Sequence, residues 1–124
     1  MNKLILDDYF ARFDDARQGA AQKEALHELF SEELVFVLNG QEIKGKSNWR
    51  AFIDKVYQSN EQLVHMYNGW EQQEDGTYQT RWAICGKRFE TGVYTEEGMD
   101  IARLDDQGKI VYLENVPDNT AFFS

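Results

Sequence analysis

The spacing of apolar residues changes at about residue 60, and this change most constrains the fold. Before it, apolar residues recur every three or four positions, as on one face of an amphipathic helix. After it, they alternate or run together in short segments that turn residues separate. Helices followed by a run of hairpin-joined strands predict an α+β domain with an antiparallel sheet.

The first half of the chain predicts three helices. The first ends at Gly19, the second spans about residues 20–30, and the third follows Ser47 as its N-cap. The apolar stripe of the first helix is Leu6, Tyr9, Phe10 and Phe13, and that of the third is Trp49, Phe52, Ile53, Val56 and Tyr57. Residues 34–38, "LVFVL", predict a buried strand, and residues 39–46 predict a loop.

The second half predicts strands at residues 62–73, 77–87, 89–104 and 109–116. The third segment, as one strand or a broken one, contains Gly92 and Gly98, which we expect to form β-bulges. A curved sheet with the helices against its concave face would enclose a cavity.

Composition limits the classes of partner. The 124 residues predict a single domain, residues 1–124. The net charge of −9, from 13 basic and 22 acidic residues, argues against nucleic acid and anionic membranes as partners. The single Cys85 fits a reducing compartment, and neither a signal peptide nor a membrane span is predicted, so we expect a cytoplasmic protein.

Asp100 is the most unusual residue of the strand pattern. It shares one strand face with Ala102, and a carboxyl on an interior apolar face is desolvated, which raises its pKa and lets it donate a hydrogen bond. The alternatives are an ion pair with Arg81 or Arg103, or a solvent-facing position near Gly98.

His65 is the second candidate. It shares a strand face with Leu63 and Tyr67, and a histidine in a pocket can act as a general base near neutral pH. The alternative is a core or dimer-interface histidine. The sequence has two His and one Cys without ligand spacing, and it has no phosphate-binding or dinucleotide motif, so no metal site and no cofactor are predicted.

Three segments, "ALHELFSEELVFVLNG", "IKGKSNWRAFI" and "GMDIARLDDQGKIVYLENV", carry a resemblance. In this order they resemble the SnoaL-like branch of the nuclear transport factor 2-like (NTF2-like) superfamily over nearly the whole chain. The resemblance implies a cone-shaped α+β roll, in which a strongly curved antiparallel sheet wraps around three helices and a pocket opens at one end. It also implies a homodimer formed through the convex sheet face.

The resemblance also bears on single residues. Asp100 matches the position at which ketosteroid isomerases carry a protonated Asp that binds the substrate oxyanion. The position of their catalytic base falls at residues 37–39, "VLN", which offer no carboxylate. Their helix-1 phenol falls near Phe10, with Tyr9 about 100° away on an ideal helix. Steroid isomerisation is therefore disfavoured.

Epoxide hydrolysis is disfavoured as well. In limonene-epoxide hydrolases an acid on the last strand would fall near Asn115, and Glu114 lies on the opposite face. The segment "RWAICGK" also lacks the Arg-x-Asp pattern of those enzymes.

Three functions remain open. The first is binding of a small, largely apolar ring or carbonyl molecule in the cone, with Tyr9, Phe13, Asn39, Phe52, Tyr67 and Trp82 as binding residues. The second is cofactor-independent acid–base catalysis of the isomerase, cyclase or dehydratase type by Asp100 and His65. The third is a non-catalytic dimeric interaction module.

Overall fold

A computed structural model describes residues 5–119 of the chain. Three helices, each predicted from the apolar spacing, lie in the first half: α1 (Tyr9–Asp15), α2 (Ala20–His27) and α3 (Lys46–Ser59). Short 3-10 turns at Ile5–Asp8 and Ala16–Gln18 flank α1. None of the helices in the described part of the chain is long and apolar enough to cross a membrane.

Seven strands form one sheet within residues 5–119. They are β1 (Phe30–Leu38), β2 (Gln41–Lys44), β3 (Asn60–Tyr67), β4 (Glu71–Gln72), β5 (Tyr78–Arg88), β6 (Gly92–Leu104) and β7 (Ile110–Pro117). Their order is β2-β1-β7-β6-β5-β3, and β4 pairs with β5. The sheet is curved and unclosed, with the helices on its concave side, so the predicted α+β cone is confirmed.

One strand pair departs from the predicted antiparallel arrangement. β1 and β7 run parallel, from Phe30 opposite Ile110 to Leu38 opposite Asn115. A parallel pair requires a long crossover connection, and α3 with the intervening strands supplies it. The sheet is therefore mixed, and this pairing brings the end of β1 beside the end of β7.

Several predicted boundaries were wrong. Helix α2 ends at His27, and Phe30 begins β1 instead of extending the helix. Helix α3 begins at Lys46 with Gly45 as its N-cap, at φ +90°, so Ser47 is not the cap. The predicted loop at residues 39–46 contains β2, because the turn at Asn39 and Gly40 folds the chain back onto β1.

The predicted bulges at Gly92 and Gly98 were also wrong. The pairing of β5 with β6 runs without a register shift from Tyr78 opposite Ala102 to Arg88 opposite Gly92. A Cβ at Gly98 would overlap the Trp82 indole and the Val116 carbonyl oxygen. Glycine is therefore required there by close packing.

The core lies between the three helices and the concave face of the sheet. Trp49 and Ile53 of α3 are fully buried, and the Trp49 ring lies 4.8 Å from that of Phe30 and 4.7 Å from that of Phe36. From β6, Ala102 packs into the same core. A cavity remains within this region, and core side chains such as Trp49 and Phe36 form part of its wall.

Candidate functional site

Asp100 lies in the centre of β6, on the concave face. It is opposite Thr80 of β5 and Asn115 of β7, and only 1% of its surface is exposed. The alternative ion pairs are not formed, because Arg81 binds Asp118 at 2.7 and 2.9 Å and Arg103 is exposed. The carboxyl is therefore an interior group.

The surroundings of Asp100 keep it protonated. Burial raises the pKa of its carboxyl to about 8, and weaker interactions with Trp82 and Asn115 lower it. Asn115 Nδ2 donates to Asp100 Oδ1 at 3.0 Å. Trp82 Nε1 is close enough to Asp100 to lower its pKa, but it lies outside hydrogen-bond geometry. Since Oδ1 accepts a hydrogen bond, the acid proton can sit on Oδ2 and be donated.

Tyr9 brings a phenol to the same region. It is 4% exposed, and burial, followed by the charge of Asp100, raises the pKa of its hydroxyl well above the usual value. Both Tyr9 and Phe10 line the cavity, although their offset of about 100° predicted that they would face different ways. The buried stripe of a helix is at least that wide, so neighbouring residues can share it.

His65 is held by a carboxylate that the sequence reasoning missed. Asp14 of α1 binds His65 Nδ1 through Oδ1 at 2.6 Å, and its Oδ2 accepts from the His65 backbone N–H at 2.8 Å. The imidazole also lies 5.1 Å from the Phe10 ring and 4.7 Å from the Phe13 ring. With Nδ1 bound to the carboxylate, Nε2 is the nitrogen that can accept a proton.

A cavity of about 90 Å³ joins these groups. Most of its wall is apolar, and Asp100 and His65 both line it. Of the predicted binding residues, four also line it: Tyr9, Phe13, Phe52 and Trp82. Within residues 5–119, no three His, Cys, Asp or Glu side chains are arranged to hold a metal ion.

Two predicted binding residues lie elsewhere. Asn39 is exposed in the turn after β1, with φ +49°. The hydroxyl of Tyr67 donates to the Asp7 carbonyl oxygen at 3.2 Å, and its ring packs on Phe10, outside the cavity wall. The cavity therefore gives these two predictions no support.

Four polar lining residues were not predicted: Asn60, Arg88, Tyr94 and Asn115. Strand alternation from Trp82 places Arg88 on the cavity face, so this signal was present in the sequence. Asp14 likewise follows Phe10 by four positions on α1. The resemblance named Asn115 only as the position of the limonene-epoxide hydrolase acid, and the register of β6 with β7 places it beside Asp100.

Comparisons with known proteins agree with this architecture. Residues 6–113 match the SnoaL-like domain family. No curated protein matches the chain. The structure of an NTF2-like protein of unknown function from Exiguobacterium is 49% identical, covering 93% of this chain and 98% of that one, with a TM-score of 0.89.

More distant structures share the fold at lower identity. A Δ5-3-ketosteroid isomerase from Mycobacterium has a TM-score of 0.72 at 16% identity, over 90% of this chain and 88% of that one. The epoxide hydrolase/cyclase-like enzyme SalBIII of salinomycin pyran-ring formation has a TM-score of 0.77 at 16% identity, over 94% and 89%. The chain belongs to the SnoaL-like family of the NTF2-like superfamily.

Proposed function

We propose that the protein binds a small, largely apolar carbonyl compound in the cavity beside Asp100. One observation carries the proposal: a carboxyl that is 1% exposed, with its pKa raised to about 8, lies in the wall of a largely apolar cavity. A neutral carboxylic acid donates a strong hydrogen bond to a carbonyl oxygen, whereas a carboxylate would repel it.

The polar atoms around Asp100 favour such a ligand. Trp82 Nε1 is a buried donor, and Asn115 Oδ1 a buried acceptor, without a hydrogen-bond partner among the described residues. Buried polar atoms of this kind are normally satisfied, and a ligand carbonyl oxygen at this point could accept a hydrogen bond from Trp82 Nε1. Asn115 Oδ1 is itself an acceptor and would need a donor instead.

The cavity volume limits the size of the ligand. A cavity of ~150 Å³ holds a benzene molecule, so about 90 Å³ encloses about four carbon atoms. A short-chain carbonyl compound, or a single ring that projects from the cavity, fits this volume. Four fused steroid rings do not.

The test compares 2-pentanone with pentane by intrinsic tryptophan fluorescence, since Trp49 and Trp82 line the cavity. We expect the ketone to bind better, and Asp100→Leu to weaken its binding about tenfold because one hydrogen bond is lost. Asp100→Asn keeps the shape and a donor and serves as the matched control. Equal binding of 2-pentanone to Asp100→Leu and the unmodified protein would refute the proposal.

Acid–base catalysis is the second candidate, and the Asp14–His65 pair favours it. His65 Nε2 would take a proton from the carbon next to the carbonyl, while Asp100 donates its proton to the carbonyl oxygen. The test is deuterium incorporation into cyclopentanone in D₂O, followed by NMR. Deuterium exchange that is abolished by His65→Gln and also by Asp100→Asn supports catalysis. If the unmodified protein gives exchange only at the rate of the buffer, catalysis is refuted and only the binding function remains.

We also propose a homodimer formed through the convex sheet face, with or without catalysis. Val64 and Met66 of β3 are 56% and 62% exposed there, and Val93 of β6 is 72% exposed. A second copy would cover this apolar surface. Light scattering should give twice the mass of one chain, and Met66→Lys should reduce it to one; a monomer at all concentrations contradicts the dimer.

A further inference from the structure

We propose that Asn115 selects carbonyl ligands that carry an N–H group on the same side as the carbonyl oxygen, the arrangement that a lactam ring fixes. This inference rests on the proposed function, since Asp100 still binds the carbonyl oxygen, and it narrows the ligand to a small cis amide. The amide oxygen would accept from Asp100 and Trp82, and the amide N–H would donate to Asn115 Oδ1.

Three neighbouring strands bring these polar side chains together. On β7, Asn115 lies directly opposite Asp100 of β6. On β5, Trp82 lies opposite Gly98, which precedes Asp100 by two positions on β6. The absence of a side chain at Gly98 leaves room for the Trp82 indole, which a Cβ there would overlap. All three polar side chains line the cavity, so donors and an acceptor meet in one part of its wall.

One polar group of each side chain is left for a ligand. Asn115 Nδ2 is used in the bond to Asp100 Oδ1, at 3.0 Å, and Asn115 Oδ1 has no hydrogen-bond partner within residues 5–119. Trp82 Nε1 has none there either. The third group is the acid proton on Asp100 Oδ2. Because Asp100 and Asn115 are joined by one hydrogen bond, their remaining oxygens lie within reach of one small polar group.

The donors and the acceptor define the ligand. The protons of Asp100 and Trp82 require an oxygen, whereas Asn115 Oδ1 requires a donor. A ketone supplies only the oxygen and leaves Asn115 Oδ1 buried without a partner, which costs free energy. A carboxylic acid is ionised near neutral pH and has then lost its donor. A cis amide supplies both groups on one edge and carries no charge.

The cavity suits a five-membered lactam. Its volume of about 90 Å³ encloses about four carbon atoms, the number in 2-pyrrolidinone. Phe13, Phe36 and Phe52 are part of the remaining wall, where the methylene groups of the ring would pack. The amide edge would then face the strands that carry Asp100 and Asn115.

The test compares 2-pyrrolidinone with N-methylpropanamide by tryptophan fluorescence at pH 6, where Asp100, with its pKa of about 8, is protonated. Both ligands are secondary amides with the same number of carbon atoms. The open chain holds its N–H and oxygen on opposite sides, because the trans form of an acyclic amide is strongly favoured. We expect the unmodified protein to bind the lactam about tenfold more tightly, because only the lactam satisfies Asn115 Oδ1.

Two variants locate the source of this preference. Asn115→Leu has a side chain of similar shape without the acceptor, so it should bind both amides equally and still bind cyclopentanone, which has the ring without the N–H. Thr80→Val changes the other neighbour of Asp100, on β5, whose hydroxyl accepts from the Gly69 N–H at 3.2 Å. Thr80 does not line the cavity, and this variant should keep the preference for the lactam.

Equal binding of the two amides by the unmodified protein overturns the inference, and is the result expected if the Asp100 proton bonds Asn115 Oδ1 instead of a ligand. A preference that remains in Asn115→Leu overturns it as well, because ring shape then explains the preference. In either case, cyclopentanone binding that Asp100→Leu weakens leaves the proposed function intact. If neither cyclopentanone nor either amide binds, both proposals are overturned.

Discussion

Asn115 Nδ2 donates a hydrogen bond to Asp100 Oδ1 at 3.0 Å, between directly opposed residues of β7 and β6. The amide holds one carboxyl oxygen and leaves the other for the proton. The bond connects the buried acid to β7, the strand that pairs in parallel with β1.

The first prediction concerns this bond. Asn115→Leu should raise the pKa of Asp100 above about 8, because the amide stabilises the charged carboxylate. The measurement is a pH titration of the infrared carbonyl band of the protonated acid. Asp100→Asn identifies the band by removing it, and an unchanged or lower pKa in Asn115→Leu would contradict this role of the amide.

The second prediction concerns stability and pH. Asp100 has a folded-state pKa of about 8, above the ordinary value of 3.8, so its protonated form is favoured in the folded state. Its contribution to stability is fully present below about pH 4 and is lost as the pH rises towards 8. The slope is about 1.4 kcal/mol per pH unit.

Urea unfolding of Asp100→Asn checks this. Between pH 5 and 7 the free energy of unfolding should shift by about 3 kcal/mol in favour of the variant, relative to the unmodified protein. Asp118 is the opposite case, because its bond to Arg81 lowers its pKa. Asp118→Asn should therefore lower the free energy of unfolding at neutral pH, and this effect should disappear in acid. If the difference in free energy of unfolding between Asp100→Asn and the unmodified protein did not change with pH, the raised pKa of Asp100 would be contradicted.

The third prediction concerns Asp14. Asp14→Ala removes the carboxylate that accepts from both His65 Nδ1 and the His65 backbone N–H, and should lower the free energy of unfolding by about 1–3 kcal/mol. Nitrogen-15 NMR should also show that the proton is no longer fixed on Nδ1. Asp15→Ala, at the exposed neighbouring position, should change neither quantity.

The fourth prediction concerns Gly98. Gly98→Ala should lower the free energy of unfolding by about 1–3 kcal/mol, since its Cβ would overlap both the Trp82 indole and the Val116 carbonyl oxygen of the neighbouring backbone. Near-ultraviolet circular dichroism should register the displaced indole. Glu97→Ala, on the outer face of the same strand, is the control, and equal effects from both substitutions would contradict the close packing at Gly98.

Part of the site could be predicted from local pattern. Alternation along β6 placed Asp100 on the same face as Ala102, and the structure has both on the concave side. The same rule applied to β5 would have found Arg88. The prediction of bulges was wrong because a glycine in a strand indicates either a bulge or a close approach of other atoms to the backbone. Gly98 is the second case.

The sequence alone determined the three helices and the order of the longer strands, because the period of apolar residues reflects which face of each segment is buried, but it did not show β2. It also indicated that burying the charged carboxyl of Asp100 would cost free energy if the side chain faced inward. Only the tertiary structure decided the parallel pairing of β1 with β7, the bond of Asp14 to His65, and the meeting of Asp100, His65 and Arg88 around one cavity. These relationships join residues far apart in the chain, and local periodicity carries no information about which distant segments pack together.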